Sequence, residues 1–212
     1  MQNGQQSIFD VFNGNKHFIV PKYQRAYAWS DKQLTDFLDD LKNQREDCDY
    51  FFGTILFQNN GNLNGFEEIE IVDGQQRLTT FVIFMNVLLK ILKEKNDQAD
   101  YLKDIRRYIK DKDFYKLELA NMDDEFFKTY VLDGYQADNV LVKTPSQRKL
   151  YNARRFFKHN LNKMDLSELK DYKSKIENTK VLIYSVNDAA EATLIFETTN
   201  DRGKTLTNLE KT

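Results

Sequence analysis

Five consecutive residues with no apolar member, Asp73-Gly74-Gln75-Gln76-Arg77, set a carboxylate, two amides and a guanidinium around one glycine. In front of them Glu68-Ile69-Glu70-Ile71-Val72 alternates polar and apolar, the period of a strand with one buried face. Behind them Leu78, Phe81, Val82, Met85, Leu88, Leu89 and Leu92 recur at helical spacing, and Phe84, Val87 and Ile91 fill the other side. The pattern predicts a helix buried nearly all round. A strand-turn-helix corner with glycine at its bend aims backbone N–H groups and the positive end of a helix dipole at one point. Such a point favours an anion, and Arg77 adds a planar fork of donors suited to phosphate. A purely structural account competes. Asp73 and Gln76 have the spacing of a capping box, with Asp73 as N-cap and Gln76 at N3. That pairing stabilises a helix by roughly 1 kcal/mol without any ligand, but it gives no reason for Gln75 or for Arg77. Spacing does not choose between the two readings, and they are compatible, since a capped helix start still attracts an anion.

Two further stretches carry chemistry. Pro21-Lys22-Tyr23-Gln24-Arg25-Ala26-Tyr27-Ala28-Trp29 follows the strand-like His17-Phe18-Ile19-Val20. Loop aromatics ordinarily anchor a loop to its core, which accounts for Tyr27 and Trp29. Gln24 and Arg25, directly after a strand end, fit a binding loop. Near the other end, Phe196-Glu197-Thr198-Thr199-Asn200-Asp201-Arg202-Gly203 closes a helix expected over 189–199. Asn200 and Gly203 suit a C-terminal cap, whereas capping leaves Glu197 and Arg202 unexplained.

Together the three stretches resemble the N-terminal domain of GmrSD-type (type IV) restriction endonucleases. Residues 71–80 are similar to its DGQQR signature, 21–29 to its P-x-Y-Q-R-x-Y-x-W motif, and 196–207 to its F-E-x-x-N-x-R-G-x-x-L-T motif, with Thr198-Thr199 replacing a commoner apolar pair. The resemblance implies an α+β fold with a ParB/sulfiredoxin-like mixed-sheet core and a nucleotide pocket. In that pocket Gln24, Arg25, Gly74, Gln75, Gln76, Arg77, Asn200, Arg202 and Gly203 would hold nucleotide and phosphate. Asp73 and Glu197 would be the catalytic carboxylates, and Glu197 with Asn200 would hold Mg²⁺, hard oxygen donors being suited to that ion. It further implies a prokaryotic anti-phage enzyme in which hydrolysis of an NTP gates a C-terminal helical and HNH nuclease region, with DNA as partner. The competing implication is a non-catalytic module that senses DNA or its modification through the same pocket. A weaker third reading has the domain itself nick DNA with Asp73 and Arg77.

Composition sets the bounds. The 212 residues suffice for one sizeable domain, or a small core with an inserted helical piece. Two prolines against 16 Phe and 11 Tyr argue against disorder. A formal net charge of −2 argues against a chain that coats nucleic acid by bulk charge, so any DNA contact must be local. Cys48 is the only cysteine, which leaves no disulfide framework, and His17 and His159 lack ligand-spaced companions. No signal peptide opens the chain, and its longest apolar run, broken by Asn86 and Lys90, is too short to span a bilayer, so a cytoplasmic protein is expected.

These groups must be positioned by a framework that the pattern also suggests. Ser7-Ile8-Phe9-Asp10 and Ser30-Asp31-Lys32-Gln33 open capped helices, Tyr50-Phe51-Phe52-Gly53-Thr54-Ile55-Leu56-Phe57 reads as a strand, and 58–65 as a long hairpin loop. From 97 to 178 helices dominate, over 99–109, 123–131, 146–161 and 166–176. The expected organisation is therefore a core of 1–95, a helical insertion over 96–178, and core again from 179 to 212. The insertion carries two basic clusters, Lys103, Arg106, Arg107 and Lys110, and Arg148, Lys149, Arg154 and Arg155. With acidic residues interleaved they read as solvated helix faces, the alternative being contact with a phosphate backbone. Lys180-Val181-Leu182-Ile183-Tyr184-Ser185-Val186 returns as a strand, and Thr207-Asn208-Leu209-Glu210 opens a helix too short to be stable alone. The chain is therefore expected to be the N-terminal piece of a longer protein. Homo-oligomerisation is left open.

Overall fold

The computed structural model describes residues 3–44, 51–119, 122–135 and 140–186. In chain order these form β1 (Gly4–Ser7), α1 (Ile8–Val11), β2 (Lys16–Val20), α2 (Asp31–Asn43), β3 (Phe51–Leu63), β4 (Phe66–Asp73), α3 (Gln75–Glu94) and α4 (Tyr101–Tyr108). There follow β5 (Lys110–Asp111), β6 (Phe114–Tyr115), β7 (Leu117–Leu119), α5 (Asp124–Phe126), a π-helical turn (Phe127–Asp133), α6 (Pro145–Leu161), α7 (Leu166–Asn178) and β8 (Lys180–Val186). The fold is α+β. Its main sheet has the order β1-β8-β3-β4-β2-β7, and β5 and β6 form a separate two-stranded ribbon. The sheet is mixed: β8 runs parallel to β3, and β2 parallel to both β4 and β7, while β1–β8 and β3–β4 are antiparallel.

Period-two alternation along the central strands decides where the core lies. Ile55, Phe57, Ile69 and Ile71 join the main cluster with α3, while Leu56, Val72 and Val186 form a small cluster of their own, as residues of opposite parity must. Every residue of 78–92 except Lys90 is buried, as the all-round apolar pattern of α3 requires. Helices α4, α6 and α7 and the π-helical turn pack around it. Aromatic edges lock the layers, with Phe12 and Phe81 centroids 4.9 Å apart and Phe37 and Phe84 5.3 Å apart. At the far end of α3, Asn86 Nδ2 donates to Leu132 O at 2.9 Å and Lys90 Nζ to Asp133 O at 3.2 Å. These satisfy carbonyls that the end of the π-helical turn leaves without partners.

Three expectations change. The stretch 58–65 is not a long loop: β3 continues to Leu63 and turns through Asn64-Gly65, both at positive φ, into Phe66. That is a two-residue hairpin turn, and its polar arms pair across the ribbon through Asn59 Nδ2 to Glu67 Oε1 at 2.9 Å. The helix expected over 123–131 is a three-residue α-helix that widens into the π-helical turn. Between α4 and α5, three strands of two or three residues replace irregular chain, and β7 joins the main sheet beside β2. Strands so short have no room to display a period.

His17 sits on β2 between two carboxylates, Nδ1 3.7 Å from Glu68 Oε1 on β4 and Nε2 3.7 Å from Glu118 Oε2 on β7. Burial nevertheless holds its pKa below the ordinary histidine value, outweighing Glu118 and Glu68, which act to raise it. A group that must stay neutral when folded contributes stability above its unfolded pKa of about 6.5 and loses it as pH falls through the folded value. Lowering pH from 7.5 to 5.5 should therefore cost melting temperature, and His17→Gln should flatten that slope. An unchanged slope in the variant would assign the pH dependence to other groups.

Candidate phosphate site at the start of α3

Strand β4 ends at Asp73, whose backbone is still paired with Leu56 of β3, so Asp73 cannot act as the helix cap. The N-cap is Gly74, at φ +92°, and no side chain caps the first turn of α3. Gln76 therefore stands at N2, and the capping box that the spacing suggested does not form. Only glycine suits the corner: a Cβ there would lie 3.0 Å from Ile55 Cγ1, in a backbone region that L-residues avoid. By the geometry of any helix start, the first-turn N–H groups have no intrahelical partners.

The side chains of the three glutamines tie the loop to the corner. Gln24 Nε2 donates to Val72 O at 2.6 Å, and Gln75 Nε2 donates to Gln24 Oε1 at 2.8 Å. Gln76 Oε1 accepts from Ala28 N at 2.7 Å while its Nε2 donates to Ala26 O at 3.3 Å. The amides thus staple the 21–29 loop to the strand-helix corner. Tyr27 is buried and its hydroxyl pairs with Thr80 Oγ1 at 2.8 Å, and burial drives its pKa above the usual phenol value. From far along the chain, Lys149 Nζ donates to Ala28 O at 2.6 Å. Gln75 and Gln76 are themselves buried.

Arg77 folds back over β3. Its Nη2 donates to Thr54 O at 2.5 Å and lies 3.6 Å from Asp73 Oδ2, while its buried Nε has no hydrogen-bond partner among the described residues. The guanidinium lies over Gly53, at φ +99°, where a Cβ would stand 2.7 Å from Nη1. Sequence reading passed over Gly53; the available signal was a lone glycine inside an aromatic, β-branched strand.

Gln24, Arg25, Asp73, Gly74, Gln75, Gln76 and Arg77, with Trp29, line one cavity of about 560 Å³. Two stretches some fifty residues apart in sequence therefore meet at one helix N-terminus. Among the described residues Arg25 is exposed and without an ion-pair partner, Arg77 is partly exposed, and the Asp73 carboxylate is about half exposed at 49%. These groups and the first-turn N–H groups can reach a ligand; the amides hold them in place. Glu197, Asn200, Arg202 and Gly203 lie outside the described residues, as does the helix expected over 189–199. No group of three or more His, Cys, Asp or Glu among the described residues could hold a metal ion, and no helix there is long and apolar enough to cross a membrane.

A family model described as GmrSD restriction endonuclease, N-terminal domain, matches residues 8–212. No curated protein matches the chain.

Proposed function

Because this chain belongs to the family of GmrSD restriction endonuclease N-terminal domains, we propose that the cavity at the start of α3 binds a nucleoside triphosphate whose hydrolysis gates the nuclease. Membership implies anti-phage restriction, with DNA as the target and a C-terminal nuclease region in the full-length proteins. The observation that carries the proposal is the convergence of Arg25, Arg77 and an uncapped twenty-residue helix start on a single cavity. A helix dipole and two guanidinium groups together favour a multiply charged anion. Asp73 is the one carboxylate among the described lining residues and takes the role of orienting the attacking water. It is also a hard-oxygen donor that suits Mg²⁺ when phosphates and water complete the coordination, with Glu197 and Asn200 as further candidates. An ion held there would supply charge neutralisation on the phosphates.

Arg25→Ala tests this cleanly, because Arg25 is exposed and forms no ion pair among the described residues. Saturating ATP, GTP, CTP or UTP with Mg²⁺ at about 100 times Kd should stabilise the folded state by about 2.7 kcal/mol, a visible rise in melting temperature. Losing one charge-assisted phosphate contact, worth about 1.5–3 kcal/mol, should weaken binding of the preferred nucleotide roughly 10–100-fold and leave the ligand-free melting temperature unchanged. Phosphate release then separates hydrolysis from binding. A chain that shifts with none of the four nucleotides would favour the DNA-sensing module instead.

A further inference from the structure

Helix α6 carries an unneutralised face. Arg148, Asn152, Arg155 and His159 stand at i, i+4, i+7 and i+11, a single exposed stripe about 16 Å long at 1.5 Å per residue. Some lysines elsewhere are paired, Lys173 with Asp104 at 2.9 Å, Lys175 with Asp171 at 2.8 Å and Lys170 with Asp97 at 3.2 Å. Lys32, Lys143, Arg148, Arg155 and Lys158 have no such partner among the described residues, although the whole chain is net acidic. Their location is concave. One cavity of about 560 Å³ is lined by Trp29, Lys32, Lys143, Arg148, Lys149 and Asn152 among others. A second, of about 550 Å³, is lined by Asp31, Asn152, Arg155, Phe156, Lys158 and His159. The first shares Trp29 with the cavity at the start of α3, and the second shares Asp31 and Asn152 with the first. The three therefore adjoin as one track, with Asp31 and Asp73 its only carboxylates among the described lining residues.

We propose that this track, from Arg155 and Lys158 past Arg148 and Lys143 to Trp29, binds single-stranded DNA. Cations left without counter-charges along a groove match a chain of phosphates, whose binding releases condensed counterions. The aromatic groups select the single strand. Trp29 is half-buried, held edge-on against Phe37 with centroids 6.4 Å apart, and Phe156 is half-buried in the second cavity. Bases of an unpaired strand can stack on such faces, and aromatic groups between cations are the usual construction of single-strand grooves. A duplex keeps its bases stacked inside and offers this groove only phosphates. The track does not depend on the nucleotide reading, since Arg148 and Arg155 line neither side of the phosphate cavity.

Fluorescence anisotropy of a labelled (dT)20 strand at rising KCl tests the proposal on the full chain. The intact chain should bind it more tightly than a duplex or an oligouridine of equal length, with affinity falling as salt rises. The Arg148→Ala/Arg155→Ala double variant should weaken binding at least tenfold and reduce the slope of log affinity against log salt by about 1.4, two phosphates at about 0.7 each. Its melting temperature and any nucleotide-induced shift should be those of the parent. Trp29→Leu should weaken binding about 5–100-fold by losing a stacked base while keeping the slope. Equal affinity and slope in the double variant, or tighter binding of the duplex or of oligouridine, would overturn the proposal. Strand binding without any nucleotide shift would overturn only the nucleotide reading.

Discussion

A Gln76→Ala protein should melt roughly 5–10 °C below its parent and bind nucleotide far more weakly. The buried amide of Gln76 bridges two backbone groups of the 21–29 loop, Ala28 N at 2.7 Å and Ala26 O at 3.3 Å. Each bond contributes about 1 kcal/mol, and the half-buried Ala28 N–H loses its acceptor. Removing the side chain also opens space beneath the loop, raising the total to about 2–3 kcal/mol. In a domain of this length each kcal/mol shifts the melting temperature by about 2–4 °C. The second consequence is positional, because the loop that Gln76 holds carries Arg25 and Trp29. As the only tryptophan in the chain, Trp29 reports the change directly: its emission should shift to the red as the loop lifts into water. A melting temperature within about 1 °C of the parent, with unchanged emission, would show that Gln76 is not the staple described above.

Gly53→Ala should remove the phosphate site from the opposite side. The new methyl group would stand 2.7 Å from Arg77 Nη1 and 3.1 Å from Cζ, so the guanidinium must leave its place over β3 and release Thr54 O. The backbone at φ +99° adds strain of about 1–2 kcal/mol for any residue with a Cβ. Nucleotide affinity should fall roughly 10–100-fold, the worth of one charge-assisted phosphate contact. A double-mutant cycle isolates the cause. In an Arg77→Ala background, Gly53→Ala should change affinity no further, because the group it displaces is already gone. Additive losses would mean that Gly53 acts through the strand and not through Arg77.

The strand and the all-round apolar helix were legible in the sequence because each repeats its period over several residues, and the glycine between them marked the corner. Ile71, Leu78 and Leu92 fall where that periodicity puts them. The pairing of the 21–29 loop with the corner was legible only through the resemblance, since no local pattern links Gln24 to Gln75. The capping box failed for a nonlocal reason: β3 holds Asp73 in the sheet through Leu56, and that strand outcompetes the helix for it. The side-chain amides of Gln24, Gln75 and Gln76 donate to Val72 O, Gln24 Oε1 and Ala26 O, nonlocal contacts that no spacing along the chain announces. On α6 the basic residues have no acidic neighbours along the helix, since residues 145–161 contain neither Asp nor Glu. By contrast Arg106 and Arg107 do meet carboxylates, Asp111 and Asp104, each at 3.8 Å.

The hydrogen bonds that seat the 21–29 loop join residues 48 to 53 positions apart, and the bond from Lys149 to Ala28 spans 121. Closing loops of that size costs entropy that is recovered only once both ends are ordered, so such contacts form late in folding. An emerging chain that has completed only its first hundred residues therefore has the corner and the loop but lacks the lysine that pins them. The 21–29 loop gains its last tie to the rest of the fold only after residue 149 has been made.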